Sequence, residues 1–325
     1  MPDYYKILNF FTQSLRIRMI EVFIENEYSK NEIRCPVHFS IGQEANAVAL
    51  ANALTKEDFM VSTHRCHAHY LAKGGSLDGF FGELYGKEIG CGKGRSGSMH
   101  LSDTSCGFLA ATSIVGGTIP YGVGAAFASK LKGEKRLTAV CIGDAAIEEG
   151  VFHESANFAA LHKLPVIFFM ENNNYSCFTQ RKDRQPRREF KTVAAAHGIE
   201  HIKLSWERFW PGVNMLEMAA TIMRSRDAEN QEPLFVECDA YRYSAHCGPF
   251  SDDNLNYRPK EEQLRYKSLD PIDQMERQMR ADHFMNDEML HKIKEKIALE
   301  IKDSFNRVQA SPFPDKSELG KYLYA

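Results

Sequence analysis

The sequence has no CxxC pair among its eight cysteines, and no Cys/His cluster with the spacing of a zinc site. Cysteines scattered in this way fit the reduced thiols of a cytoplasmic protein. No GxxxxGK[ST] occurs, which excludes a P-loop at the level of the motif. Charge of one sign is also lacking. The 40 basic and 43 acidic residues leave a net charge of −3, which argues against a nucleic-acid binder. The opening segment MPDYYKILNFFTQSLRIRM has no long apolar core, because Arg16 and Arg18 interrupt it, so it does not read as a signal peptide. The longest uncharged stretch, 104–129, carries Pro120 and five glycines. It reads as buried loops and a glycine-rich helix, and no membrane span is expected. There is no internal repeat and no low-complexity linker. The remainder is ordinary: 325 residues, 43% apolar and 26% charged, enough for one large globular domain or two modest ones.

Residues 4–30 mix apolar and charged side chains at a period near 3.6 without Gly or Pro, which predicts a helix. EANAVALANAL (44–54) predicts another. Glycines then crowd between Gly74 and Gly97, implying tight turns or backbone close to a ligand. LTAVCI (137–142), PVIFFM (165–170) and LFVEC (234–238) are short apolar runs of the kind buried in parallel sheets. Helix candidates at 148–162 and 213–228 alternate with them, which predicts an α/β fold. From about residue 260 the chain turns charged and strand-poor, with helical runs at 271–281 and 285–302. One domain (1–265) with a C-terminal helical extension of the same domain (266–325) is expected. The basic segment TQRKDRQPRREFK (179–191) reads as a mobile surface loop.

Two polar residues stand just past the C-terminal ends of neighbouring predicted strands: Asp144 after the first and Asn173 after the second. Ligands of open α/β sheets bind at that edge. A carboxylate and a carboxamide are hard oxygen donors suited to Mg²⁺, which completes its shell with water and phosphate. Alone, Asp144 reads better as a helix cap and the asparagines as a turn. The pair at matched strand ends favours a cation and a phosphate-bearing ligand. GKGRSG (92–97) fits GxGxxG letter for letter. It lacks the preceding strand and the following acid of a dinucleotide site, so that reading is set aside.

GDAAIEEGVFHESANFAALHKLPVIFFMENNNYS (143–176) resembles the thiamine diphosphate motif, which opens Gly-Asp-Gly and closes Asn-Asn. More specifically, it is similar to the α subunit of the 2-oxo acid dehydrogenase E1 component. HFSIGQEA (38–45), STHRCHAHYLAKGG (62–75), GKGRSGSMH (92–100), SIVGGTIPYGVGAAFA (113–128) and YRYSAHCGPFSDDNLNYR (241–258) match further landmarks in the correct order. Together they cover about residues 35–265.

The resemblance implies a parallel-sheet thiamine diphosphate-binding fold with helices on both faces. It implies Mg²⁺ held by Asp144, Asn173 and the backbone carbonyl of Tyr175. Arg65 and His64 would bind the diphosphate, together with backbone at Gly143, Asp144, Ala145 and Ala146. The backbone at Ser113 and Val115 would meet the aminopyrimidine ring. His38, His67 and His246 are the implied groups for stabilising a substrate carboxylate or moving protons. The sequence departs from the family pattern at His64 (usually Tyr), Ser113 (usually Gly) and Ala145 (usually Gly). The family also supplies from a separate β subunit the glutamate that activates the cofactor. A heterotetramer of two α and two β subunits is therefore implied, with a small 2-oxo acid as substrate and a lipoyl-bearing E2 acyltransferase as acceptor. The departures keep open a second reading, a carboligase or decarboxylase subunit in a specialised sugar or surface-polysaccharide pathway.

Overall fold

The computed structural model describes residues 3–249, 251–318 and 320–321. Phe250 of the 241–258 landmark, and the chain-end residues 322–325 of the expected extension, lie outside the described residues. The chain runs α1 (Tyr4–Tyr28), α2 (Glu44–Ala53), β1 (Phe59–Ser62), α3 (His67–Ala72), α4 (Leu77–Leu84), β2 (Phe108–Ala111), α5 (Thr118–Leu131), β3 (Thr138–Gly143) and α6 (Gly150–Leu161). It continues through β4 (Val166–Asn172), the small β5–β6 hairpin (Tyr175–Ser176, Thr179–Gln180), α7 (Arg181–Arg184), α8 (Phe190–Ala196), β7 (Glu200–Leu204), α9 (Phe209–Ser225) and β8 (Leu234–Asp239). α10 (Lys260–Ser268), α11 (Pro271–Ala281) and α12 (Asp287–Ala310) follow.

Six strands form one parallel sheet in the order β2-β1-β3-β4-β8-β7. Successive residues of a strand point to opposite faces, and the core divides accordingly. Met60, Ala139, Cys141, Ile167, Phe169 and Val236 pack into a cluster with α1, α2, α9 and the C-terminal helices. Their neighbours Val61, Val140, Ile142, Phe168, Met170 and Phe235 pack into a second cluster with α5, α6 and α8. The protein is therefore an α/β fold with helices on both faces of a parallel sheet. β3 and β4 are buried along almost their whole length, which is why they read as continuous apolar runs.

Local chemistry sets the helix ends. Asp3, Ser76, Asn286 and Asp270 each accept a backbone N–H as N-caps of α1, α4, α12 and α11. α9 begins at Phe209, four residues before its apolar period becomes clear, because Pro211 falls in the first turn where its missing N–H costs nothing. Arg18 of α1 ties Glu44 at the head of α2 to Asp270 at the head of α11, so the C-terminal helices are bound to the first helix by charge as well as packing. α5 approaches the sheet through Gly122, where a Cβ would lie 2.6 Å from Val140 Cγ2 and 2.7 Å from Val61 Cγ2.

The glycine-rich segment that follows α4 closes around a ligand of its own. The Glu83 carboxylate accepts N–H groups from Gly92 (2.7 Å), Gly94 (3.1 Å), Gly97 (3.1 Å) and Ser96. The GxGxxG pattern is thus a nest already filled by a buried side chain. The uncharged stretch 104–129 folds into β2 and most of α5, and no helix of the described residues is long and apolar enough to cross a membrane.

Candidate functional site

Strand order reverses at β1 and β3: from β1 the chain's next strand lies on one side, and from β3 on the other. A crevice opens at such a point, at the C-terminal edge. Here it holds a cavity of about 360 Å³, in the size range of small-molecule sites. Its walls come from the segments that leave β1 (Thr63–Arg65), β2 (Thr112–Gly116), β3 (Gly143–Ala146), β4 (Asn173–Cys177) and β8 (His246), closed by His38 and Gln43 before α2. Of the residues singled out from the sequence, all but His67 line it: His38, His64, Arg65, Ser113, Val115, Gly143, Asp144, Ala145, Ala146, Asn173, Tyr175 and His246.

His67 is set apart from the cavity. Fully buried, its Nδ1 lies 2.9 Å from Glu21 Oε1 and its Nε2 lies 2.6 Å from Ser98 Oγ. Arg65 stays in the loop that faces the cavity, whereas His67 opens α3 and turns back against α1. It ties the first helix to the glycine-rich segment and touches no solvent.

Asp144 is 1% exposed at the mouth of β3. It caps no helix. A 3₁₀ turn (Ala146–Glu148) separates it from α6, and neither that turn nor α6 has a side-chain cap. Its carboxylate is met by the Arg184 guanidinium, which also pairs with Glu148, while Gln185 Nε2 donates to the Asp144 carbonyl at 2.8 Å. Burial pushes the Asp144 carboxyl up to about 6, against the opposing pull of Arg184. The basic segment expected as a mobile surface loop instead forms β6, α7 and the start of α8; Phe190 packs into the core, and Arg184 and Gln185 turn towards the cavity rim, where Asp144 and Glu148 offer them partners. Asn173 Oδ1 accepts the Tyr175 N–H at 3.0 Å, an Asx turn that fixes both residues beside Asp144's cavity wall. A carbonyl oxygen retains a second lone pair, so the turn and metal coordination are compatible.

Ala145 has φ −76° and ψ −29°, ordinary right-handed backbone. No glycine is required there, and its N–H stays available to an anion. This accounts for Gly-Asp-Ala standing where the motif has Gly-Asp-Gly.

Arg65, which also lines the cavity, is 5% exposed and donates to two carbonyls, Phe39 O (2.6 Å) and His246 O (3.0 Å), with no carboxylate in contact. Burial and then the neighbouring Arg242 push its guanidinium down to about 9, so it remains a cation at neutral pH. A buried cation that no carboxylate touches is suited to an anionic ligand. Around it stand three imidazoles, with ring centroids 4.7 Å (His38–His64), 5.1 Å (His38–His246) and 5.5 Å (His64–His246) apart. Burial first and Arg65 second push them down, to about 2 for His38, 3 for His64 and 4 for His246. All three are neutral bases at pH 7.

Two groups escaped the sequence reading. Glu171, at the end of β4 on the cavity floor, is pushed up to about 7 by burial, opposed by Gln43, Arg65 and Asn46. It is the acid of the ENN motif, so the motif itself carries its signal. Arg184 had no local signal at all, since its partners lie 36 and 40 residues away in the chain.

Comparison with known proteins bears on this geometry. A model of the dehydrogenase E1 component family matches residues 12–317. The pyruvate dehydrogenase E1 component subunit alpha of Rickettsia bellii is 33% identical over 314 residues, covering 97% of this chain and 94% of that protein. The mitochondrial subunit alpha of Dictyostelium discoideum is 32% identical over 320 residues, covering 98% and 82%. The mitochondrial subunit alpha-2 of Arabidopsis thaliana is 31% identical over 326 residues, covering 98% and 79%. Matched over nearly its whole length by both the family model and these relatives, the chain belongs to the dehydrogenase E1 component family.

Proposed function

We propose that this chain is the α subunit of a thiamine diphosphate- and Mg²⁺-dependent 2-oxo acid dehydrogenase, acting with a β subunit and passing an acyl group to a lipoyl carrier. The observation that carries the proposal is the polarity of one cavity. Hard oxygen donors (Asp144, Asn173, the Tyr175 carbonyl) and the Arg65 cation, which no carboxylate touches, line the same cavity. That donor set fits Mg²⁺, and Arg65 fits the diphosphate it would bridge. When bound, thiamine diphosphate supplies the carbon nucleophile for decarboxylation.

The chain's own residues bind, orient and exchange protons. Arg65 and the N–H groups from Ala145 onward would fix the diphosphate. His38 and His246, neutral and beside Arg65, can donate a hydrogen bond to a substrate carboxylate or carbonyl and can take up a proton as negative charge develops. His64 stands beside them and offers an imidazole where the family pattern has a phenol.

A partner is supported by the surface. Tyr121 and Leu131 of α5 and Phe158 and Leu161 of α6 are exposed on adjoining helices, and Ile114 and Val115 continue the apolar area to the cavity rim. A contiguous exposed apolar patch of this kind marks an interface. Its continuity with the rim fits a cofactor site completed by the β subunit.

The test is co-expression with a β subunit, then assay with thiamine diphosphate, Mg²⁺, a panel of small 2-oxo acids and an artificial electron acceptor. Cofactor-dependent reduction of the acceptor is the expected result. Carbon–carbon ligation without net oxidation would replace the dehydrogenase with a carboligase.

A further inference from the structure

We propose that in the cofactor-free chain, where His38 and His246 are not engaged with substrate, His38, His64 and His246 form a second metal site in the cavity, a three-nitrogen site for a borderline transition-metal dication such as Zn²⁺ or Co²⁺. It is separate from the oxygen donors around Asp144. One ligand atom from each imidazole lies within 4.8 Å of the other two. The three come from separate segments: the loop before α2, the turn after β1 and the segment after β8. Their rings are inclined at 69°, 82° and 57° to one another, so they do not lie stacked face to face.

His38 supplies an independent sign of a missing ligand. It is 8% exposed and lines the cavity, and its Nδ1 is buried with no hydrogen-bond partner. Leaving a buried ring nitrogen unpaired is costly, and a metal ion would satisfy it. Zn–N bonds of about 2.0–2.1 Å place nitrogens roughly 3.4 Å apart in a tetrahedron. Closing from the observed spacing needs shifts of about 1 Å, within the reach of ring rotation at the less buried His64 and His246. Imidazole selects Zn²⁺, Co²⁺, Ni²⁺ or Cu²⁺ over Mg²⁺, so the two donor sets in one cavity sort metals by hardness. The fourth position faces the cavity and would take water or a ligand oxygen.

The three rings are already neutral at pH 7 and need lose no proton to bind. Arg65 works against a dication here, so affinity is lower than three imidazoles alone would give. Where the family pattern has Tyr, His64 supplies the third nitrogen; the site is a property of this sequence rather than of the family's motif.

The test uses the full chain, free of cofactor and of any affinity tag, in excess Mg²⁺. Titration with Co²⁺ should give one equivalent of binding and the intense visible bands of low coordination, which Zn²⁺ abolishes by displacement. H64Y and H246Q should each weaken Zn²⁺ binding by at least about tenfold, the effect known for even indirect metal partners. D144A should leave the Co²⁺ spectrum intact. The proposal is overturned if the wild-type chain binds no Co²⁺ saturably, if the bands survive in both histidine variants, or if D144A removes them. Circular dichroism identifies a variant that fails to fold, and H38Q then supplies the second ligand removal.

Discussion

Replacing Arg184 with alanine should tighten divalent-cation binding, although Arg184 touches no proposed ligand of the cofactor other than Asp144. In the cation-free chain its guanidinium neutralises Asp144 and Glu148, with side-chain exposures of 10% for Arg184, 2% for Asp144 and 31% for Glu148. A Mg²⁺ ion at Asp144 must displace it. Hydrogen bonds to charged groups contribute about 1.5–3 kcal/mol net, and each 1.4 kcal/mol is tenfold in affinity. Removing the competitor should therefore lower the Mg²⁺ dissociation constant by roughly 10- to 100-fold. Stability of the cation-free chain should fall by a similar free energy, because Asp144 is left buried and unpaired. Calorimetric titration with Mg²⁺ measures the first, and thermal melts with and without Mg²⁺ the second. K182A controls for general loss of positive charge: Lys182 is exposed on the same short helix. Unchanged or weaker Mg²⁺ binding in R184A, or an equal gain in K182A, would refute the competition.

Three further outcomes are expected. D144A should abolish Mg²⁺-dependent binding of thiamine diphosphate, and retained affinity in a calorimetric titration would dismiss Asp144 as a ligand. G122V should destabilise the chain by about 3 kcal/mol through overpacking against Val61 and Val140, read as a lower urea midpoint at unchanged slope. Acid should destabilise the cofactor-free chain through its depressed imidazoles. The unfolded chain takes up protons below about pH 6.5, while the folded rings stay neutral to about 4 or lower. Stability from these groups is thus present above pH 6.5 and is lost as pH falls towards 4, at up to about 1.4 kcal/mol per pH unit for a fully buried ring and less for the partly exposed ones. H38Q should flatten the slope of urea midpoints between pH 7 and 4.5.

The legible parts of this fold were those whose cause is local. The apolar runs of β3, β4 and β8 are buried on both faces, so their pattern needs no partner to be read. α11 matches its expected 271–281 bounds because Asp270 and Pro271 mark its start in the sequence itself. β1, β2 and β7 were not foreseen. The first two are only four residues long, FMVS and FLAA, too short for their apolar runs to stand out, and β7 is an edge strand with an exposed, charged side. The lining of the candidate cavity was legible in its strand-end residues, through the spacing of Asp144 and Asn173 and through family resemblance. It was not legible where long-range pairing decides. Arg184 looks like any lysine or arginine of a solvated loop until Asp144 and Glu148 are brought beneath it. His67 looks like a neighbour of Arg65 until α3 turns it towards Glu21.

His64, Ser113 and Ala145, the positions where this chain leaves the family pattern, all lie beyond strand ends, and none belongs to either core cluster. Scaffold and chemistry are therefore written in different residues. Changes at these three positions can alter what the cavity holds without altering either cluster that packs the sheet.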